Sequence, residues 1–185
     1  TWNSTANWST TSGGAGGSSV PTTTSDAIFD ANGNGACAID AAASVKGLYL
    51  AGYAGTVTQN SGITVTVGAD NYYQSTGTFT GSSGATANDA ITLNGSFTLA
   101  GGTFTATAGT ITMNGSSWTK SGGTLNAQTG TVLFRPWGTT ETITGSQSLN
   151  NVTFGGSQGV ITVASGTTLT VAGTLSFNIP DSITI

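Results

Sequence analysis

The sequence predicts an all-β chain wound as a single-stranded parallel β-helix, a solenoid with coils of about 20 residues. Three observations predict it. The first is composition. Only 5% of the 185 residues are charged, against about 25% in an ordinary soluble domain. Thr, Ser, Asn and 29 glycines fill much of the rest, yet 36% of the chain is apolar, so this is not a disordered polar tract. Thr and Val favour pleated surfaces, and the good helix formers are scarce. The second is pattern: short apolar alternations bounded by Gly, Asn or Ser run through most of the chain. The third is an internal repeat near the middle.

Residues 1–35 stand apart. Trp2, Trp8, Val20, Ile28 and Phe29 are spread among turn formers, with Gly13-Gly14, Gly16-Gly17 and Pro21 between them. This segment is read as an N-terminal cap whose aromatics pack over the first coil, and Thr1 as the start of a mature or trimmed product. Residues 36–185 are read as the solenoid. Cys37/Ile39, Leu48/Leu50, Ile63/Val65/Val67, Ile91/Leu93 and Phe97/Leu99 each put two or three apolar side chains on one strand face. Cys37 is the only cysteine, which leaves a buried small hydrophobe or an intermolecular disulfide.

The repeat lies in ITLNGSFTLAGGTFTATAG (91–109) and ITMNGSSWTKSGGTLNAQTG (111–130). Ile91 matches Ile111, Leu93 matches Met113, Phe97 matches Trp118, Gly101-Gly102 match Gly122-Gly123, and Phe104 matches Leu125. Asn94, Asn114 and the Gly-Gly pairs are expected at corners, where the backbone turns sharply and often takes positive φ. A single coil cannot bury its apolar face; stacked coils bury a continuous column. Hairpin-like spacing over 140–185 keeps an antiparallel β-sandwich as the alternative fold.

The order of these segments also resembles a known group. TWNSTANWS, VPTTTSDAIFD, CAIDAAASVKGLYLAGYAGTVTQ and GSFTLAGGTFTATAG are similar to segments of large secreted bacterial surface proteins. Those proteins carry Gly/Thr-rich repeats of the autotransporter-passenger and filamentous-haemagglutinin type. The resemblance covers nearly the whole chain in style and motif order, and it carries no catalytic signature. It implies a secreted or cell-surface β-helical role with no defined activity, and one module or a shortened relative of a longer protein.

Charge and residue types narrow the function. Lys46, Lys120 and Arg135 are the only cations, and the net charge is −4. Binding to nucleic acid draws mainly on phosphate contacts, which three scattered cations cannot supply. No apolar run approaches the about 18 residues of a membrane-spanning helix. The absence of histidine removes Ser-His-Asp and Cys-His catalysis and the usual zinc sites. Asp70 and Asp89 are the best carboxylate pair: one coil apart, they would be offset by about 4.8 Å, near the separation of a retaining glycosidase.

Asp30, Asn32 and Asn34, followed by Gly35, match the first half of a calcium loop. Ala41 stands where the closing Glu belongs, and Asp40 falls one place early. The stretch reads either as a calcium site or as an Asn-Gly turn, and no other cofactor is implied. Tyr72, Tyr73, Arg135 and Trp137 are candidate binding residues, able to stack on a sugar or anchor a neighbour. Trp118 is a further platform candidate, but its register with Phe97 favours the core. Asn3, Asn7, Asn94, Asn114 and Asn151 each head an N-x-[ST] triplet.

Ile183 and Ile185 still alternate at the end of the chain without a polar cap. With Trp2 and Trp8 they are the candidate assembly residues, since unpaired strand edges invite pairing. The expectation is an extracellular structural protein without catalysis, its partner a further copy of itself in an oligomer or filament. A glycan-binding adhesin or phage tail-fibre module is the alternative.

Overall fold

The computed structural model describes residues 1–33, 35–156 and 159–178, together with the backbone of 183–184. A single turn of 3-10 helix (Thr5–Asn7) lies in the N-terminal segment. The first coil is β1 (Ala27–Phe29), β2 (Cys37–Ile39) and β3 (Ala43–Val45), and the second is β4 (Leu48–Leu50), β5 (Thr56–Gln59) and β6 (Val65–Val67). The third is β7 (Tyr72–Gln74), β8 (Thr78–Thr80) and β9 (Ile91–Leu93), and the fourth β10 (Phe97–Leu99), β11 (Thr103–Thr105) and β12 (Thr110–Met113). The fifth is β13 (Ser117–Lys120), β14 (Thr124–Asn126) and β15 (Thr131–Phe134), and the sixth β16 (Thr140–Thr144), β17 (Gln147–Leu149) and β18 (Asn151–Gly155). The seventh is β19 (Val160–Val163), β20 (Leu169–Val171) and β21 (Leu175–Asn178); β22 (Ile183–Thr184) follows.

Every strand up to β19 except β14 pairs with the strand three places on, so the chain forms three stacked faces. The first face runs β1-β4-β7-β10-β13-β16-β19-β22 and the third runs β3-β6-β9-β12-β15-β18-β21. The second face is β2-β5-β8-β11-β14, continued by the separate pair β17-β20. Pairing between described strands is parallel on all three faces, which replaces the antiparallel sandwich alternative with a single-stranded β-helix.

The repeat alignment is the pairing register. Ile91 faces Ile111 and Leu93 faces Met113, Phe97 faces Trp118, and Phe104 faces Leu125. Inside, these pairs form columns. The Phe97 and Trp118 rings stack with centroids 4.0 Å apart, and Phe79 stacks on Phe104 at 5.2 Å. Such pairs add about 0.5–1.5 kcal/mol beyond burial alone. Corners behave as the sequence implies: Gly102 and Gly123 have φ of 72° and 63°. Asn114 Nδ2 donates to Asn94 Oδ1 at 2.9 Å, one rung of an asparagine ladder.

Coil length is less uniform than the repeat suggests. The coil from Val65 to Ile91 carries an additional loop, residues 81–90, between β8 and β9. Regular pairing also begins earlier than residue 36: β1 already pairs with β4, Ala27 opposite Leu48.

Inward polar side chains close the corners. Gln59 Nε2 donates to the carbonyls of Ile63 and Ala90. Gln74 Nε2 donates to those of Gly77 and Thr103, while its Oε1 accepts from the Tyr72 hydroxyl at 2.7 Å. These glutamines satisfy backbone groups that would otherwise be buried and unpaired.

Candidate functional site

The two ends of the solenoid differ. At the N-terminal end, Trp2 and Trp8 are buried and belong to the hydrophobic core with Ala27 and Ile39. Trp2 N–H donates to the Ala38 carbonyl at 2.7 Å, and Trp8 Nε1 donates to the Trp2 carbonyl at 2.7 Å. Trp8 meets Phe29 edge-on at 5.7 Å. Both indoles are spent inside their own chain, which corrects their placement among residues free for assembly.

At the other end the described inward columns reach the seventh coil. Leu175 continues the column of Val152, and Phe177 that of Phe154. Phe154 is buried between Phe134 and Phe177, whose centroids lie 5.7 Å from it on either side. Phe177 itself is 57% exposed and Leu175 is 45% exposed. Leu169 and Val171, on the inward columns of Gln147 and Leu149, are half-buried. Among the described residues, the seventh coil therefore leaves Leu175 and Phe177 exposed at core positions and Leu169 and Val171 half-buried. Ile183 pairs with Ile161 on the first face; its side chain and Ile185 lie outside the described residues. Among the described residues of this end, the exposed large apolar ones at core positions are Leu175 and Phe177.

The expected sugar platform divides. Tyr72 is 2% exposed and stacks on Phe97 at 5.2 Å, so it is a core residue and not a surface platform. Adjacent residues on a strand point to opposite faces; Asn71, with φ 79°, turns the chain so that Tyr72 points in. Tyr73 points out, half-buried between Tyr49 and Thr98. Trp137 is 68% exposed on the loop 135–139 with exposed Arg135 and Gly138. Tyr73 lies on β7 and Trp137 beside β16, three coils away along the first face, so the structure does not join them in one site.

The structure separates Asp70 from Asp89. Asp70 follows β6 and ion-pairs with Lys46. Asp89 precedes β9, at the opposite end of the third face, because Val65 pairs with Ile91 and Val67 with Leu93. The expected Asp70–Asp89 pair is therefore split across a face. Asp89 accepts from Ser82 Oγ at 2.5 Å, Thr86 Oγ1 at 2.5 Å, Gly62 N at 2.7 Å and Thr86 N at 3.0 Å. Those donors hold its carboxyl well below the usual range, Ser82 foremost. It is the knot that ties down the 81–90 loop.

Asp30 is occupied in a similar way. Oδ1 accepts from Asn32 N at 2.9 Å and Oδ2 from Ser12 Oγ at 2.5 Å, and these bonds lower its pKa, Ser12 first. Asn32 Nδ2 also donates to Ser12 Oγ. Asp30 and Asn32 thus tie a turn to the cap; Asn34, the third residue of the expected calcium loop, lies outside the described residues. No group of three His, Cys, Asp or Glu side chains stands together among the described residues.

A cleft of about 710 Å³ opens between the cap and the first coil, lined by Trp8, Phe29, Asp30, Cys37 and Tyr53 among others. Cys37 is half-buried, and burial pushes its thiol up to about 11, which keeps it protonated at neutral pH.

One residue escaped the sequence reading. Glu141 on β16 points inward and is fully buried. Neither carboxyl oxygen has a partner, and neither does Gln147 Nε2 nearby in sequence. Burial pushes the Glu141 carboxyl up to about 9. The signal was present: Thr140-Glu141-Thr142-Ile143 places Glu141 in phase with apolar Ile143.

What the fold defines is a class, the single-stranded parallel β-helices. Below that level, the chain matches no protein-family model, no curated protein and no solved structure.

Proposed function

We propose that this chain is an extracellular structural module, a cell-surface subunit without catalysis that self-associates through the open end of its solenoid. The carrying observation is the seventh coil, with Leu175 and Phe177 exposed at core positions beside half-buried Leu169 and Val171, opposite an end where Trp2 and Trp8 are buried. Exposed apolar clusters mark contact surfaces, and β20 and β21 pair on one side only among the described residues, leaving ladder groups free to accept strands. A charge-poor, hydroxyl-rich surface suits an extracellular setting.

The closed N-terminal end sets the form of association. Two open ends meeting about a two-fold axis give a closed pair, whereas an unlimited filament needs a second sticky surface. Strand donation across the same end is the other route. The test is light scattering on the full chain over a concentration series, beside Phe177→Asp. The reading expects a monomer–dimer equilibrium that Phe177→Asp abolishes. An unchanged equilibrium in the variant would move the contact elsewhere.

A second reading, a glycan-binding adhesin or tail-fibre module, is favoured by exposed Trp137 beside Arg135. Aromatic and Arg side chains are common anchors. It predicts glycan-array binding that Trp137→Ala removes; an array without hits eliminates it.

A further inference from the structure

We propose that the second face of the solenoid is an ice-binding surface, a two-dimensional array of threonines that holds water in the lattice of hexagonal ice. The outward residues of β5, β8, β11 and β14 are Thr56 and Thr58, Thr78 and Thr80, Thr103 and Thr105, then Thr124 and Asn126. They are paired without a register shift: Thr56 opposite Thr78 opposite Thr103 opposite Thr124, and Thr58 opposite Thr80 opposite Thr105 opposite Asn126. The result is two parallel ranks.

The spacing follows from strand geometry. Neighbouring strands lie about 4.8 Å apart, and alternate residues along a strand about 6.6 Å apart. These two repeats are close to those of the oxygen positions on a prism face of ice. Threonine offers a methyl and a hydroxyl on a stiff, β-branched stem, so a rank of threonines repeats one geometry rather than a set of rotamers. The hydroxyls are free for water: within the array the structure gives one side-chain bond, Asn126 Nδ2 to Thr105 Oγ1 at a long 3.4 Å.

Two further features suit this face to ice. It carries no charge, a property it shares with the third face but not with the first, where β13 ends in Lys120: none of β2, β5, β8, β11 and β14 contains Asp, Glu, Lys or Arg, and a charged group would orient water around itself. Its leading edge is also bare, since Gly55, Gly77, Gly102 and Gly123 immediately precede the four strands and put no side chain above the plane. By contrast, the first face presents Tyr49 and Tyr73, and the third face is interrupted by Leu133 and Asn151. The ligand class is therefore crystalline water, and the site is independent of the open end.

The experiment is partition of the full chain into slowly growing ice, with recrystallisation of frozen sucrose as a second readout. Thr80→Lys and Thr103→Lys interrupt the centre of the array, Thr80→Tyr does so without charge, and Thr112→Lys on the third face is the control. Circular dichroism checks each fold, and Thr80→Tyr replaces any lysine variant that fails to fold. The proposal expects the parent and Thr112→Lys to enrich in ice, and the array variants to fall to the level of an inert protein. A parent that is excluded from ice overturns it. So does enrichment that survives in folded array variants, or that is lost equally in Thr112→Lys.

Discussion

Glu141 shows how much one inward side chain decides. A carboxyl with no hydrogen-bond partner is tolerated in the core only as the neutral acid. On the neighbouring strands β13 and β19 the only charged residue is Lys120, which lies past Thr119, at the far end from Glu141 in the register. Its folded pKa, about 9, stands above the ordinary 4.5. The native state therefore holds the proton more tightly than the unfolded chain. Its neutral-acid stability is complete below about pH 4.5 and declines as pH rises toward about 9. Glu141→Gln removes that dependence and should stabilise the protein by about 3 kcal/mol at pH 7. Urea unfolding of both proteins at pH 5, 7 and 9 checks it; parallel pH profiles would show that Glu141 finds a partner or water. Tyr72 teaches a related lesson. The Tyr72-Tyr73 pair gives no phase by itself, because one of two adjacent strand residues must point inward, and the turn at Asn71 decides which.

The coil is the element at which sequence and structure agree best. Equivalent residues could be aligned by eye because stacking puts the same side-chain type at the same place in successive coils, as Ile91 and Ile111 illustrate. Glycine at the corners answers two needs. Gly102 and Gly123 supply positive φ, whereas Gly115 supplies room: a Cβ there would collide with the carbonyl group of Gly95 in the coil below. Backbone cannot swing aside as a side chain can, so Gly115→Ala should cost about 1–3 kcal/mol. Gly35→Ala, which would meet nothing within 4 Å, should stay within about 0.5 kcal/mol. Thermal melts of the two variants make the comparison. Less legible were the elements that break the repeat. The 81–90 loop lengthens one coil, and only the packed structure shows that Asp89 fastens it through Ser82, Thr86 and Gly62. The Asp70–Asp89 pairing failed for that reason: a spacing near one repeat places residues together only where the coil has the repeat's length.

At the scale of the whole molecule, the fold class was legible because it rests on composition and periodicity, which are properties of the entire chain. The candidate site was not, because it rests on an end effect. Leu175 and Phe177 look in sequence like Val152 and Phe154, their counterparts one coil below; their exposure arises from position in the stack. The capping role of Trp2 and Trp8 was legible from their setting in a Gly-rich, strand-poor segment, but their burial removes them from the contacts open to a neighbour. The proposed self-association follows from this asymmetry, with Trp2 and Trp8 buried at one end and Leu175 and Phe177 exposed at the other.

Negative-stain electron microscopy of the full chain over a range of concentrations tests that claim most directly. Each coil adds about 4.8 Å of length, so single and end-paired solenoids differ twofold along the axis at constant width. The account predicts short rods that convert into rods of double length, and no longer, as concentration rises. Rods of single length at every concentration would contradict self-association through the open end, and unlimited filaments would contradict the closed N-terminal cap.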